Sequence, residues 1–156
     1  MIKEYIILVI AWLITIGMLI IFVPKKQIRE AWLIFFFKQL LTWVLGLIVV
    51  ELGLIEYPVD IFQHATKTSF TFEYFIYPAI CVVFNLHYPE NKGRFRRFLH
   101  YSYFCTAITI VEVFVERYTD IIEYINWTWY ITWITLFITF YASHKYYLWF
   151  FRRKQN

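Results

Sequence analysis

Apolar residues run almost unbroken over about 5–23, 31–50, 70–86, 98–115 and 124–143, separated by short polar connectors. These runs are about twice the length of the alternating ~10-residue strands of a membrane β-barrel. They predict five helices, over about 5–23, 27–54, 69–86, 97–117 and 121–150. About 20 mostly apolar residues cross a hydrocarbon layer of roughly 30 Å. The pattern therefore predicts an all-α integral membrane bundle forming one domain over residues 1–156. The first run is too long for a signal-peptide core and has no small-x-small cleavage site. Its basic flank, Pro24-Lys25-Lys26, follows it, so a retained helix is expected.

Composition agrees. With 61% apolar residues, a soluble domain of this size would have little polar surface to offer water. Charge is also sorted by side. The connectors after the first and third runs, with the C-terminal tail, hold eleven bases against only Glu30 and Glu90. The remaining connectors and helix ends hold nine acids, among them Glu51, Glu56, Asp60, Glu73, Glu112, Glu116, Asp120 and Glu123, against Lys3, Lys67 and Arg117. Lysine and arginine collect in short cytoplasmic loops, so the N-terminus is expected outside and the C-terminus inside. The net charge of +4 is then a topological signal and not a nucleic-acid footprint.

Several details refine the helices. Pro78 lacks a backbone donor and should free the carbonyl of Tyr74, kinking the third helix. In the 56–69 connector, Pro58 is expected to open a short helix with Ile61, Phe62 and Ala65 on the membrane surface. Asp120 and Glu123 have capping-box spacing for the fifth helix. Tyr57, Tyr118, Tyr124, Trp127, Trp129 and Tyr130 are expected in an outer aromatic belt, with Trp32, Tyr88, Tyr101, Tyr103, Tyr146, Tyr147 and Trp149 in an inner one. Cys81 and Cys105 lie inside apolar runs and read as buried free thiols.

Polar residues within the runs are where function is sought, because a charge at mid-bilayer costs at least roughly 2.5–3.5 kcal/mol. Ser102, Cys105, Thr106, Thr109, Glu112 and Glu116 fall within about 120° on the fourth helix, forming one polar stripe. Thr128, Thr132, Thr135, Thr139 and Ser143 form a second on the fifth. The second helix offers Lys38, Thr42, Gly46 and Gly53, with Gln39 at the edge; the third offers Tyr74, Cys81 and Asn85, with Glu73 in its first turn. The first helix has only Thr15 and Gly17 and is expected on the lipid side. Packing explains most Thr and Ser, and Lys38 is expected to snorkel to the inner edge. Glu112, some 14 residues or roughly 21 Å from that edge, is hardest to explain as packing. Glu116 is a like charge one turn away, and Arg117 or Lys67 are the basic partners within reach.

No nucleophile elbow, H-E-x-x-H, phosphate-binding glycine loop or C-x-x-C occurs. No catalytic residue, metal ligand or cofactor is implied. His87, His100 and His144 gather near the inner interface, but without metal-ligand spacing.

Ile55-Glu56-Tyr57-Pro58, Thr66-Lys67-Thr68-Ser69-Phe70-Thr71-Phe72-Glu73, Asn85-Leu86-His87-Tyr88-Pro89 and Glu123-Tyr124-Ile125-Asn126-Trp127-Thr128-Trp129 carry a resemblance. Over residues 29–150 the chain resembles a family of small, uncharacterised polytopic membrane proteins from endospore-forming Gram-positive bacteria. The resemblance implies a bacterial cytoplasmic membrane and a link to sporulation, and no reaction. Its signature lies mostly on the outer half. The leading expectation is an outward pocket of Glu73, Glu112, Glu116, Asn126 and Trp127 that binds or conducts a cation, proton or small amphipathic molecule. The alternatives are an accessory subunit docking through its small-residue faces, and an enzyme acting on a lipid or isoprenoid with a carboxylate as general acid or base. Expected partners are the lipid bilayer and either further copies of the chain or other membrane proteins.

Overall fold

The computed structural model describes residues 2–152, with the side chain of Arg152 excepted; the basic tail positions Arg153 and Lys154 lie outside the described residues. The fold is all-helical. Helix α1 is Ile2–Phe22; a 3-10 turn at Lys25–Gln27 leads into α2, Ile28–Glu51. A π-helical segment, Phe70–Ile76, runs into α3, Tyr77–Leu86, followed by α4, Arg94–Tyr118, and α5, Trp129–Arg152. Two-residue strands β1, Ile55–Glu56, and β2, Glu123–Tyr124, pair antiparallel.

Among the described residues, three segments are long and apolar enough to cross a membrane: Ile2–Phe22, Lys25–Glu51 and Arg94–Tyr118. Phe70–Leu86 is apolar but shorter. Helix α5 has the length, with Thr132, Thr139, Ser143 and His144 on its buried face. The surface carries large apolar side chains on every long helix, including Leu13 of α1, Leu40 of α2, Ile110 of α4 and Ile138 of α5, each 59–65% exposed. Such a surface is at home in hydrocarbon and not in water.

Helix α2 packs on α3 and α5, α4 packs on α5, and α1 lies against α3 and the π segment. On α1 only Glu4, Leu8 and Thr15 are buried. The core centres on Phe84, Phe140, Ile34 and Val82, none more than 1% exposed.

The change of winding next to Pro78 has a specific construction. A π winding precedes the proline, with the Tyr77 N–H bonded five residues back to the Phe72 carbonyl. Two carbonyls are then completed by α2: Thr42 Oγ1 donates to Glu73 O at 2.6 Å and Gln39 Nε2 donates to Tyr74 O at 2.9 Å. The segment's start is capped by Ser69 Oγ, accepting from Phe72 N at 3.2 Å, and by the buried Asp60. Asp60 accepts from Phe70 N at 2.6 Å and from Thr71 Oγ1 at 3.3 Å.

Some expectations are corrected. Residues 61–65 form turns and no helix, because Asp60 is drawn inward as a cap. Asp120 and Glu123 do not cap α5, since residue 123 pairs with Glu56 in the β bridge and α5 begins at Trp129. Lys38 does not snorkel: it is fully buried. Tyr101 is also buried, against Phe84 and Phe137.

Candidate functional site

A pocket of about 120 Å³ opens between α2, the π segment, α4 and α5, toward the end of the bundle that carries the β1–β2 bridge. Its polar lining includes Glu73, Glu112, Thr42, Thr132, Thr135 and Thr139; Leu45, Val49, Ile55, Leu136 and Trp127 supply apolar wall. Two carboxylates line it and no basic side chain does.

Glu112 is buried and accepts three hydrogen bonds. Tyr77 Oη donates to Oε2 at 2.6 Å, while Tyr124 Oη and Thr132 Oγ1 donate to Oε1 at 2.5 and 2.9 Å. Trp127 Nε1 donates to Thr132 Oγ1 at 2.8 Å, extending the network to the pocket mouth. Its partners are neutral hydroxyls; neither Arg117 nor Lys67 reaches it.

Glu73 is held differently. Tyr57 Oη donates to Oε1 at 3.0 Å, and Oε2 accepts no hydrogen bond from the described residues. Beside it, Thr68 Oγ1 is buried with no partner among them. Both atoms sit 2.6 Å from where a Cβ on residue 46 would be, so only glycine leaves that space open. Glu73 thus presents an unoccupied oxygen next to an unsatisfied hydroxyl, in the pocket that Glu112 shares.

The β bridge positions these phenols. Ile55 pairs with Tyr124, and Leu54 O accepts from the N–H groups of Ile125 and Asn126, both at 3.1 Å. Tyr57 and Tyr124 are thereby turned inward from the connectors and away from the aromatic belt expected for them. Burial raises both phenols well above their usual range, and the neighbouring carboxylates push the same way.

Of the expected site residues, Glu73, Glu112 and Trp127 line the pocket together. Glu116 does not: it is half-buried one turn beyond Glu112, outside the pocket lining. Asn126 is exposed and pins the connector through its backbone N–H. Thr132, Thr135, Thr139 and Thr42 line the pocket, whereas the hydroxyls of Ser102 and Thr128 are buried outside it without hydrogen-bond partners among the described residues. Thr109 donates back to its own helix, to Cys105 O at 2.8 Å. Tyr57, Tyr77, Tyr124 and Thr68 went unrecognised in the sequence. Tyr57, Thr68 and Tyr124 stood in the signature motifs without a role read for them, and Tyr77 stood in none.

Thr139 links the pocket floor to the interior, accepting from Lys38 Nζ at 2.5 Å. The ammonium lies 4.3 Å from the centroid of the Phe140 ring. Among the described residues the one charge pair in contact is Lys3–Glu4, so Lys38 is not neutralised directly. Cys81 and Cys105 are free and buried, and His144 Nδ1 meets Asn85 Oδ1 at 3.0 Å. No cluster of three metal-ligating side chains occurs among the described residues.

No protein-family model, curated protein or solved structure matches the chain. The site is interpreted on its own geometry.

Proposed function

We propose that this protein crosses the membrane five times, N-terminus outside and C-terminus inside, and binds a small monovalent cation in the Glu73–Glu112 pocket. The resemblance to membrane proteins of Gram-positive spore formers would put it in a bacterial cytoplasmic membrane. The sorting of bases to one set of connectors supports the orientation. The 17 residues of Phe70–Leu86 extend roughly 25 Å and α5 roughly 36 Å at about 1.5 Å per residue, lengths compatible with spanning.

One observation carries the binding reading: the unoccupied Glu73 Oε2, beside an unsatisfied Thr68 hydroxyl, faces a pocket with a second carboxylate and no base. Two carboxylates facing one desolvated space are relieved by a proton or by an occupant that brings positive charge. The apolar wall and the Trp127 ring suit an organic ammonium, which gains from an aromatic face. A volume near 120 Å³ excludes anything bulky.

The test is a detergent-solubilised titration with methylammonium and with sodium, read by thermal unfolding. Wild type should be stabilised by one of them, and Glu73→Gln should lose that shift while still folding. Glu112→Gln should weaken it about tenfold or more. Equal shifts in wild type and Glu73→Gln, or none with either ion, would remove the proposal.

A further inference from the structure

The opposite end of the bundle holds a second cavity, independent of the carboxylate pocket. A cleft of about 650 Å³ lies between the connector before α4, the start of α4 and the end of α5. Arg94, Arg97 and Lys145 line it against a single acid, Glu90. Its floor is aromatic and rigid: Tyr101 and His144 are 5% and 4% exposed, and the Tyr88 and His144 rings are 3.9 Å apart.

Arg97 is preorganised. Its Nε donates to Lys92 O at 3.0 Å and its Nη2 donates to Glu90 O, so the connector's own carbonyls hold the guanidinium in place. A guanidinium has five N–H donors, so three remain for a planar, multidentate oxyanion such as a phosphate. Lys145 Nζ is carried over the Tyr141 ring, 5.3 Å from its centroid. Helix α4 starts after Gly93, which has no side chain to cap the first N–H groups, and the positive end of the helix adds to the field.

The surroundings distinguish a lipid from a soluble phosphate. Tyr141 both lines the cleft and faces outward, 49% exposed, and Ile138 on the same face of α5 is 59% exposed. Phe98, one residue past Arg97, is 53% exposed on the neighbouring helix. An apolar track therefore leaves the basic cleft along α4 and α5. We infer that this cleft binds the phosphate headgroup of an anionic phospholipid, with Arg94, Arg97 and Lys145 on the phosphate oxygens and the acyl chains along the exposed α4–α5 face.

The experiment uses delipidated full-length protein in a neutral detergent, titrated separately with phosphatidylglycerol, phosphatidylcholine and soluble glycerol 3-phosphate. Binding is read by native mass spectrometry and by thermal unfolding. Phosphatidylglycerol should bind at least tenfold more tightly than phosphatidylcholine, with glycerol 3-phosphate weaker still. Lys145→Gln and Arg97→Lys should each weaken the phosphatidylglycerol complex, whereas Lys26→Gln, which removes one charge outside the cleft, should leave it unchanged. Lys145→Gln touches no structural hydrogen bond and keeps the test open if Arg97 variants fail to fold. Equal losses in Lys145→Gln and Lys26→Gln would reduce the effect to overall charge and overturn the site. Glycerol 3-phosphate binding as tightly as the lipid would overturn the lipid assignment.

Discussion

Gly46 is where a single hydrogen atom matters most. A Cβ there would meet Glu73 Cδ, Glu73 Oε2 and Thr68 Oγ1, all at 2.6 Å. Those atoms are side-chain ends, so the fold can yield by moving the carboxylate. Gly46→Ala should therefore destabilise by about 1 kcal/mol, the low end of the range for overpacking, and abolish the cation-dependent thermal shift. Retained binding in that variant would show that Glu73 Oε2 is not part of the site. The buried phenols make a second residue-level prediction. Tyr57 and Tyr124 have raised folded-state values, so the neutral phenols contribute stability that is fully present below about pH 10 and lost as pH climbs toward those values. In a spectrophotometric titration of wild type, Tyr57 and Tyr124 should be among the phenols that stay un-ionised after the exposed ones have titrated. Tyr57→Phe and Tyr124→Phe should each remove one. Early, uniform ionisation would contradict the inward placement of both rings.

Among the elements, the π segment is the one that makes the pocket. Proline forces a break, but a break alone does not say where the unsatisfied carbonyls go. Here α2 supplies both donors from adjacent positions, Thr42 and Gln39. That contact fixes the rotation of the segment bearing Glu73. Thr42→Val should cost about 1–3 kcal/mol, the usual penalty for a buried polar group left unpaired, and Gln39→Leu less, because its bond to Tyr74 O is exposed. Thr42→Val should harm cation binding more, because its partner is the Glu73 backbone itself. The check is thermal unfolding of each variant beside its methylammonium or sodium response. Should both variants be as stable as wild type, water must already satisfy those carbonyls and the segment would not depend on α2.

At the scale of the whole molecule, the arrangement puts the carboxylate pocket at one end of the bundle and the basic cleft at the other. The proposed orientation makes the first external and the second internal. Cys81 and Cys105 are buried, which gives a quiet background for labelling single introduced cysteines. In intact cells a membrane-impermeant maleimide should modify cysteine at position 66 directly, and at position 92 only after permeabilisation. The reverse result would invert the protein; labelling of both from one side would break the five-span arrangement. Helix α1, buried at only three described positions, leaves most of its surface for lipid or a further chain.

The sequence by itself determined the all-helical class, the interruption of regular winding near Pro78 and the polar helix faces that carry Glu73, Glu112 and the threonines. Those follow from one-dimensional properties: apolar run length, the missing donor of proline, and the cost of placing charge among hydrocarbons. Which partners the polar groups take was a matter of three dimensions. Glu112 had Glu116 as its obvious neighbour along the helix, yet the carboxylate sharing its pocket is Glu73, 39 positions earlier in the chain. The expected snorkelling of Lys38 failed for the same reason, since Thr139, 101 positions away, offers an acceptor that no local pattern encodes. The tyrosines read as belt residues because aromatic rings near helix ends usually are. Only the pairing of Ile55 with Tyr124 turns Tyr57 and Tyr124 inward, and that pairing requires two connectors far apart in sequence to meet. Periodicity reports which face of a helix is polar; packing alone decides what that face meets.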